Sequence, residues 1–214
     1  MLRLSSKSGI ILTVIILVVV AFIAWPDSEP TSVLDEYLQA TAPPVPENIF
    51  VGDEIIPPVP APEFDLINFS GDQVSNADFS GKVVLLSFAY TSCPDTCPVL
   101  FGRFLAIQEQ LSQAIGNDLE LVFISVDPEV DTPERLSAHV AAMQGKWFYL
   151  TDELSIVEEV WSNFNLYVEK EGSIVGHTNL TILIDQQGLA RVQYIGLPPE
   201  SVFINDIENL LAKE

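Results

Sequence analysis

With 214 residues, 48% of them hydrophobic, the chain has room for one ordinary domain of about 150 residues and some appendages, but hardly for two full cores. Nine basic against thirty acidic residues give a net charge of −21, which argues against a nucleic-acid partner, because phosphate backbones are held by clustered Lys and Arg. Such a surface keeps a protein soluble and leaves open attraction of a basic partner or of cations.

Taken in chain order, residues 1–8 carry Arg3 and Lys7, and residues 9–25 (GIILTVIILVVVAFIAW) form an apolar run without a charge. A run of 17 residues is at the short end of what spans a bilayer and long for a secretory signal. Ala21 and Ala24 are separated by Phe22 and Ile23 and followed by Trp25, which is a poor cleavage site. The run therefore reads as one transmembrane helix. Basic residues precede it and none follows until Lys82, so residues 1–8 stay in the cytoplasm and the rest lies outside it. Residues 26–63 hold nine of the fifteen prolines and scattered acids, the composition of a semi-rigid tether.

The folded domain is expected over residues 64–214. FDLINFSGDQVSN reads as a hairpin turning at Ser70-Gly71-Asp72, and KVVLLSFAY and LELVFISV read as strands buried on both faces. Between them Val99 to Ile115 places Leu100, Phe104, Ile107 and Leu111 at helical spacing. Asp131-Thr132-Pro133-Glu134 caps a helix that runs to about Met143. A short strand at Phe148 to Leu150, a helix from Ser155 to Phe164, the hairpin TNLTILID/ARVQY and a last helix from Pro199 to Leu211 complete the order. Strands alternating with helices, then a closing hairpin and helix, predict a three-layer α/β sandwich with a mixed central sheet.

Both cysteines, Cys93 and Cys97, sit in TSCPDTCP, where a buried strand hands over to a helix. A sulfur at a helix start is favoured as thiolate. Spaced four apart on a helix, the two Cα atoms would be about 6 Å apart, within reach of a disulfide. The same pair forms a soft anionic pincer suited to thiophilic ions. Spacing leaves the redox and the metal reading both open. Pro94, Asp95 and Pro98 mark an exposed turn rather than core. Of the two histidines, His139 lies in a helix, and His177 in a loop before NLTILID at the mouth of the sheet, where sites are built.

TSCPDTCP after KVVLLSFAY, then ISVDPEVDTPERL, then VGHTNLTILIDQQG, resembles the Sco/SenC family of membrane-anchored proteins with a thioredoxin-like fold. The resemblance runs from about Phe64 to the end. It implies one copper ion, Cu(I) or Cu(II), held by Cys93, Cys97 and His177. It also implies delivery of that copper to the CuA centre of cytochrome c oxidase subunit II, or to another periplasmic cuproprotein. The expected location is a bacterial inner membrane, with the carboxy-terminal domain in the periplasm. Family members often carry an acid directly before the histidine, whereas this chain has Gly176; Asp95, Asp127 or Asp131 are the carboxylates that could substitute.

The competing function is an enzyme, a thiol-disulfide oxidoreductase in which Cys93 and Cys97 form a catalytic redox pair and keep the cysteines of the CuA site reduced. Thioredoxins normally place a cis-proline just before the strand equivalent to TNLTILID, and His177-Thr178 stands there instead. That feature favours metal.

Overall fold

The computed structural model describes residues 50–172 and 174–212, and it begins with a strand where the prolines predict a tether. β1, Asp53–Pro60, pairs antiparallel with β10, Leu189–Ile195, with Asp53 opposite Gln193 and Pro60 opposite Leu189. The boundary expected at residue 63 is thereby corrected: from Asp53 onward the chain is part of the folded domain. Pro57, Pro58 and Pro60 lack an N–H and would disrupt a central strand. β1 is outermost in the sheet, and its pairing is interrupted between Glu54 and Val59, the setting in which strand prolines are tolerated. The cytoplasmic end at 1–8, the anchor at 9–25 and the tether up to residue 49 lie outside the described residues. Among the described residues no helix is long and apolar enough to cross a membrane.

β2, Asp65–Asn68, and β3, Gln73–Ser75, form the expected hairpin. Asn68 builds its turn, its Oδ1 accepting from the N–H groups of Ser70 and Asp72, as Asn does where it mimics a backbone turn. Next come β4, Val83–Ala89, α1, Cys97–Gln110, and β5, Leu119–Ser125. Every residue of β4 and β5 is buried, and the two pair in parallel from Val83 opposite Leu119 to Ala89 opposite Ser125. α2, Pro133–Met143, then leads to β6, Phe148–Thr151, which adds in parallel to β5. α3, Leu154–Asn163, β9, Leu180–Ile184, β10 and α4, Glu200–Leu211, follow close to their predicted bounds. The eight-stranded sheet has the order β1-β10-β9-β4-β5-β6-β2-β3.

Helices cover both faces. Phe88 of β4 stands opposite Ile124 of β5, so Phe88 and Phe123 point to opposite faces. Phe101 and Phe104 of α1 pack on Phe123 with ring centroids 4.9 and 4.3 Å away. On the other face Phe164, just past α3, meets Phe88 edge-on at 5.3 Å. Burial of each such ring contributes about 1.5–3 kcal/mol. This is the three-layer mixed α/β arrangement that the element order predicts.

One hairpin escapes the sequence reading. β7, Val168–Glu171, and β8, Ile174–His177, form a separate two-stranded sheet. Most of both strands, VEKE and IVGH, is exposed. His177, expected in a loop, is the last residue of β8.

Candidate functional site

The cysteine loop leaves the carboxy end of β4 and returns as the first turn of α1. Pro98, in the first turn of α1, needs no helical N–H partner there. The backbone N–H of Cys97 donates to the Cys93 sulfur at 3.4 Å. Both thiols are free, but they are not equivalent. Cys93 is half-buried, whereas Cys97 is 2% exposed and belongs to the hydrophobic core; the exposed turn expected for the pair applies to its first member alone. Burial opposes charge on Cys93, yet the hydrogen bond from the Cys97 thiol and the backbone of Asp95, Cys97 and Thr96 outweigh it and lower its pKa. Burial, then the hydrogen bond to Cys93, pushes Cys97 up to about 12. The first thiol is thus the one that ionises, and the second keeps its proton and shares it.

The loop after β5 secures the cysteine loop. Because β4 and β5 are parallel neighbours, their carboxy ends release adjacent loops. Asp131, fully buried, accepts from the Thr91 N–H at 3.2 Å, from the Thr91 hydroxyl at 2.5 Å and from the Ser125 hydroxyl at 2.7 Å. Burial raises its pKa despite these bonds. The cap of α2 is consequently Thr132, whose hydroxyl accepts from the Arg135 N–H. Asp127 takes a different partner, Lys170 of β7, at 2.7 Å, and Lys170 also reaches Glu129 at 2.9 Å. The two bonds hold the Lys170 ammonium charged, with its pKa raised.

At the end of β8, His177 Nδ1 lies 2.9 Å from the Thr178 carbonyl. A carbonyl only accepts, so Nδ1 carries the proton and Nε2 is the nitrogen left for a ligand. Burial lowers the imidazole pKa, against the opposing pull of the Thr178 carbonyl, which keeps the ring neutral near pH 7. An acid at position 176 would point to the opposite face of the strand from His177, since adjacent strand residues face opposite sides. Asp127 is engaged by Lys170, and Asp131 by Thr91 and Ser125. The backbone carbonyl of Thr178 does the orienting instead.

The structure therefore brings Cys93 and Cys97 together and sets His177 beyond Tyr90, whose ring it meets edge-on at 6.3 Å. Among the described residues no three His, Cys, Asp or Glu side chains stand close enough to hold a metal ion. The other histidine, His139, packs between Phe101 at 4.8 Å and Tyr149 at 6.0 Å. Tyr90, the thiol-loop role of Asp131 and the Lys170 bridge were missed from sequence. The adjacency of the β4 and β5 loops was the available signal for Asp131.

Comparison with known proteins identifies the family. An SCO2-like protein of Rickettsia prowazekii is 31% identical over 134 residues, covering 58% of this chain and 64% of that relative. The chain thus spans somewhat less than two thirds of the length of this relative. A copper-bound ScoI structure from Arabidopsis thaliana superposes with a TM-score of 0.66 at 25% identity, covering 73% of this chain and all of the other. BsSco, described with a disulfide switch and as a member of the Sco family of cytochrome c oxidase assembly proteins, superposes with a TM-score of 0.63 at 27% identity, covering 77% and 99%. The SCO1/SenC family model matches residues 57–212, and the chain belongs to that family.

Proposed function

We propose that this chain is a copper metallochaperone that takes one copper ion on Cys93, Cys97 and His177 and delivers it to the CuA centre of cytochrome c oxidase subunit II during oxidase assembly. One observation carries the reading: an ionisable, half-exposed sulfur stands beside its buried partner, and the hairpin packed on Tyr90 carries a neutral imidazole with Nε2 left for a ligand. Two thiolate sulfurs select Cu(I) over hard ions, and an imidazole completes a three-coordinate set that Cu(II) can also use with an added oxygen. Cys97 loses its proton when the metal arrives, since only the thiolate ligates. His177 closes the site from its hairpin. Copper in the ScoI relative and the assembly role of the BsSco family support the same reading. Residues 9–25 would anchor the chain in a bacterial inner membrane and present the domain to periplasmic clients.

Anaerobic Cu(I) titration of the full chain in detergent tests it. The unaltered chain retains one equivalent and, loaded with Cu(II), shows thiolate-to-copper absorption; His177→Ala holds copper about 10-fold or more less tightly. Equal retention by both proteins without that absorption refutes the site.

The inequality of the thiols supports a second reading, thiol-disulfide exchange. The Cys93 thiolate attacks a client disulfide, releasing one client thiolate and forming a mixed disulfide. Cys97 then gives up its proton and attacks Cys93. The second client thiolate leaves, the client has gained two electrons, and the chain holds a Cys93–Cys97 disulfide. Stoichiometric reduction of an oxidised CuA-domain peptide by a chain that retains no copper would favour this reading.

A further inference from the structure

Tyr90 stands between the two halves of the site. It follows β4 directly and is 2% exposed. Its hydroxyl accepts a hydrogen bond from the N–H of Val175 at 3.3 Å. Val175 precedes His177 by two residues on β8, and residues two apart in a strand project to the same face. His177 itself meets the phenol ring edge-on. Toward the other half, the Tyr90 carbonyl accepts from the Cys93 N–H at 3.4 Å, so the cysteine loop departs from this residue. The backbone of Tyr90 thus holds the cysteine loop while its side chain holds the hairpin.

We infer that Tyr90 is a positioning residue whose hydroxyl ties the hairpin carrying His177 to the start of the cysteine loop, and so sets the separation of sulfur and imidazole at which copper is held. The inference rests on the copper reading of Cys93, Cys97 and His177. Other ties fasten the hairpin elsewhere. Lys170 joins it to Asp127 and Glu129, and the Thr178 N–H donates to the Tyr167 carbonyl at 3.1 Å. Tyr90 bonds the hairpin backbone through its hydroxyl and the Cys93 N–H through its carbonyl. A phenylalanine would keep the ring, its burial and its edge-on contact, and delete the tie alone.

Tyr90→Phe is compared with the unaltered full chain and with His177→Ala, all in detergent. Amide exchange is read at Val175 in the metal-free protein, and copper loss to a chelator together with the thiolate-to-Cu(II) absorption in the loaded protein. Removing the hydrogen bond that holds the hairpin is expected to speed Val175 exchange and copper loss each by about 10-fold or more, and to displace the absorption band. Unchanged exchange at Val175 overturns the inference, and so do copper loss and absorption that match the unaltered chain. Should the unaltered chain itself retain no copper, the copper reading falls and takes the metal role of Tyr90 with it. Should it retain copper and Tyr90→Phe retain it equally well, the Tyr90 inference alone falls.

Discussion

Asp206 and Asp131 are both fully buried carboxylates that hold a distant piece of backbone, one where the chain joins the sheet edge and one beside the cysteine loop. Asp206 of α4 accepts from the N–H groups of Val51 and Gly52 at 2.7 and 2.9 Å, from the Tyr194 hydroxyl at 2.9 Å and from the Asn205 amide at 3.0 Å. The fit there is close enough that a Cβ on Gly52 would come within 2.3 Å of the Tyr194 ring. Asp131 uses the same chemistry on Thr91. Its surroundings are different: the loop it holds carries an ionisable Cys93 thiol, and the nearby buried Tyr149 hydroxyl has no hydrogen-bond partner. A buried, well-bonded carboxylate does not by itself distinguish scaffold from site. Donor capacity left over around it does.

The largest expected effect separates the two regions. Asp206→Ala strands two backbone N–H groups and a tyrosine hydroxyl, and should cost about 3–5 kcal/mol in denaturant unfolding, while the relative alkylation rates of the two cysteines in the still-folded protein stay as they are. Coupled changes in both readouts would show that the edge and the mouth are one cooperative unit.

Next in size is the inequality within the mouth. At neutral pH iodoacetamide should label Cys93 about 10-fold or more faster than Cys97, read by peptide mass spectrometry, because thiolate fraction and access both favour Cys93. Equal labelling would contradict the burial of Cys97 and its pKa near 12.

A smaller effect comes from His177. Its folded pKa lies below the usual value of 6.5, so on acidification the unfolded chain takes up the proton first. The corresponding stability is fully present above that usual value and is lost as pH falls toward the folded one. The unaltered protein should therefore lose stability relative to His177→Ala between about pH 7.5 and about pH 5.5. A constant difference over that range would mean the ring is not desolvated.

The smallest effect is expected at position 176. A Cβ there meets nothing closer than the Glu169 carbonyl at 3.8 Å, so Gly176→Asp should fold normally. With its carboxylate facing away from the imidazole, it should alter copper retention by less than about 3-fold. A strong gain would show that the Thr178 carbonyl is an inferior substitute for an acid.

The chain's own order made much of this architecture readable. KVVLLSFAY and LELVFISV could only be strands covered on both sides, and the i, i+3, i+4 spacing around Phe104 could only bury one helix face, so β4, β5 and α1 followed from local pattern. The proline-rich segment ran the other way. Its composition speaks for a tether, and only pairing with β10, more than a hundred residues later, makes it a strand. β7 and β8 went unread because both are short and mostly exposed, leaving no apolar alternation to find.

By itself the sequence determined that two thiols meet at a helix start, because that depends on neighbours four residues apart. Tertiary structure alone decided which thiol ionises, since this follows from the depth at which each sulfur is packed. It also decided that the hairpin carrying His177 packs on Tyr90, through a contact between residues 85 positions apart. Periodicity reports which face of an element avoids water, and says nothing about which distant element will cover it.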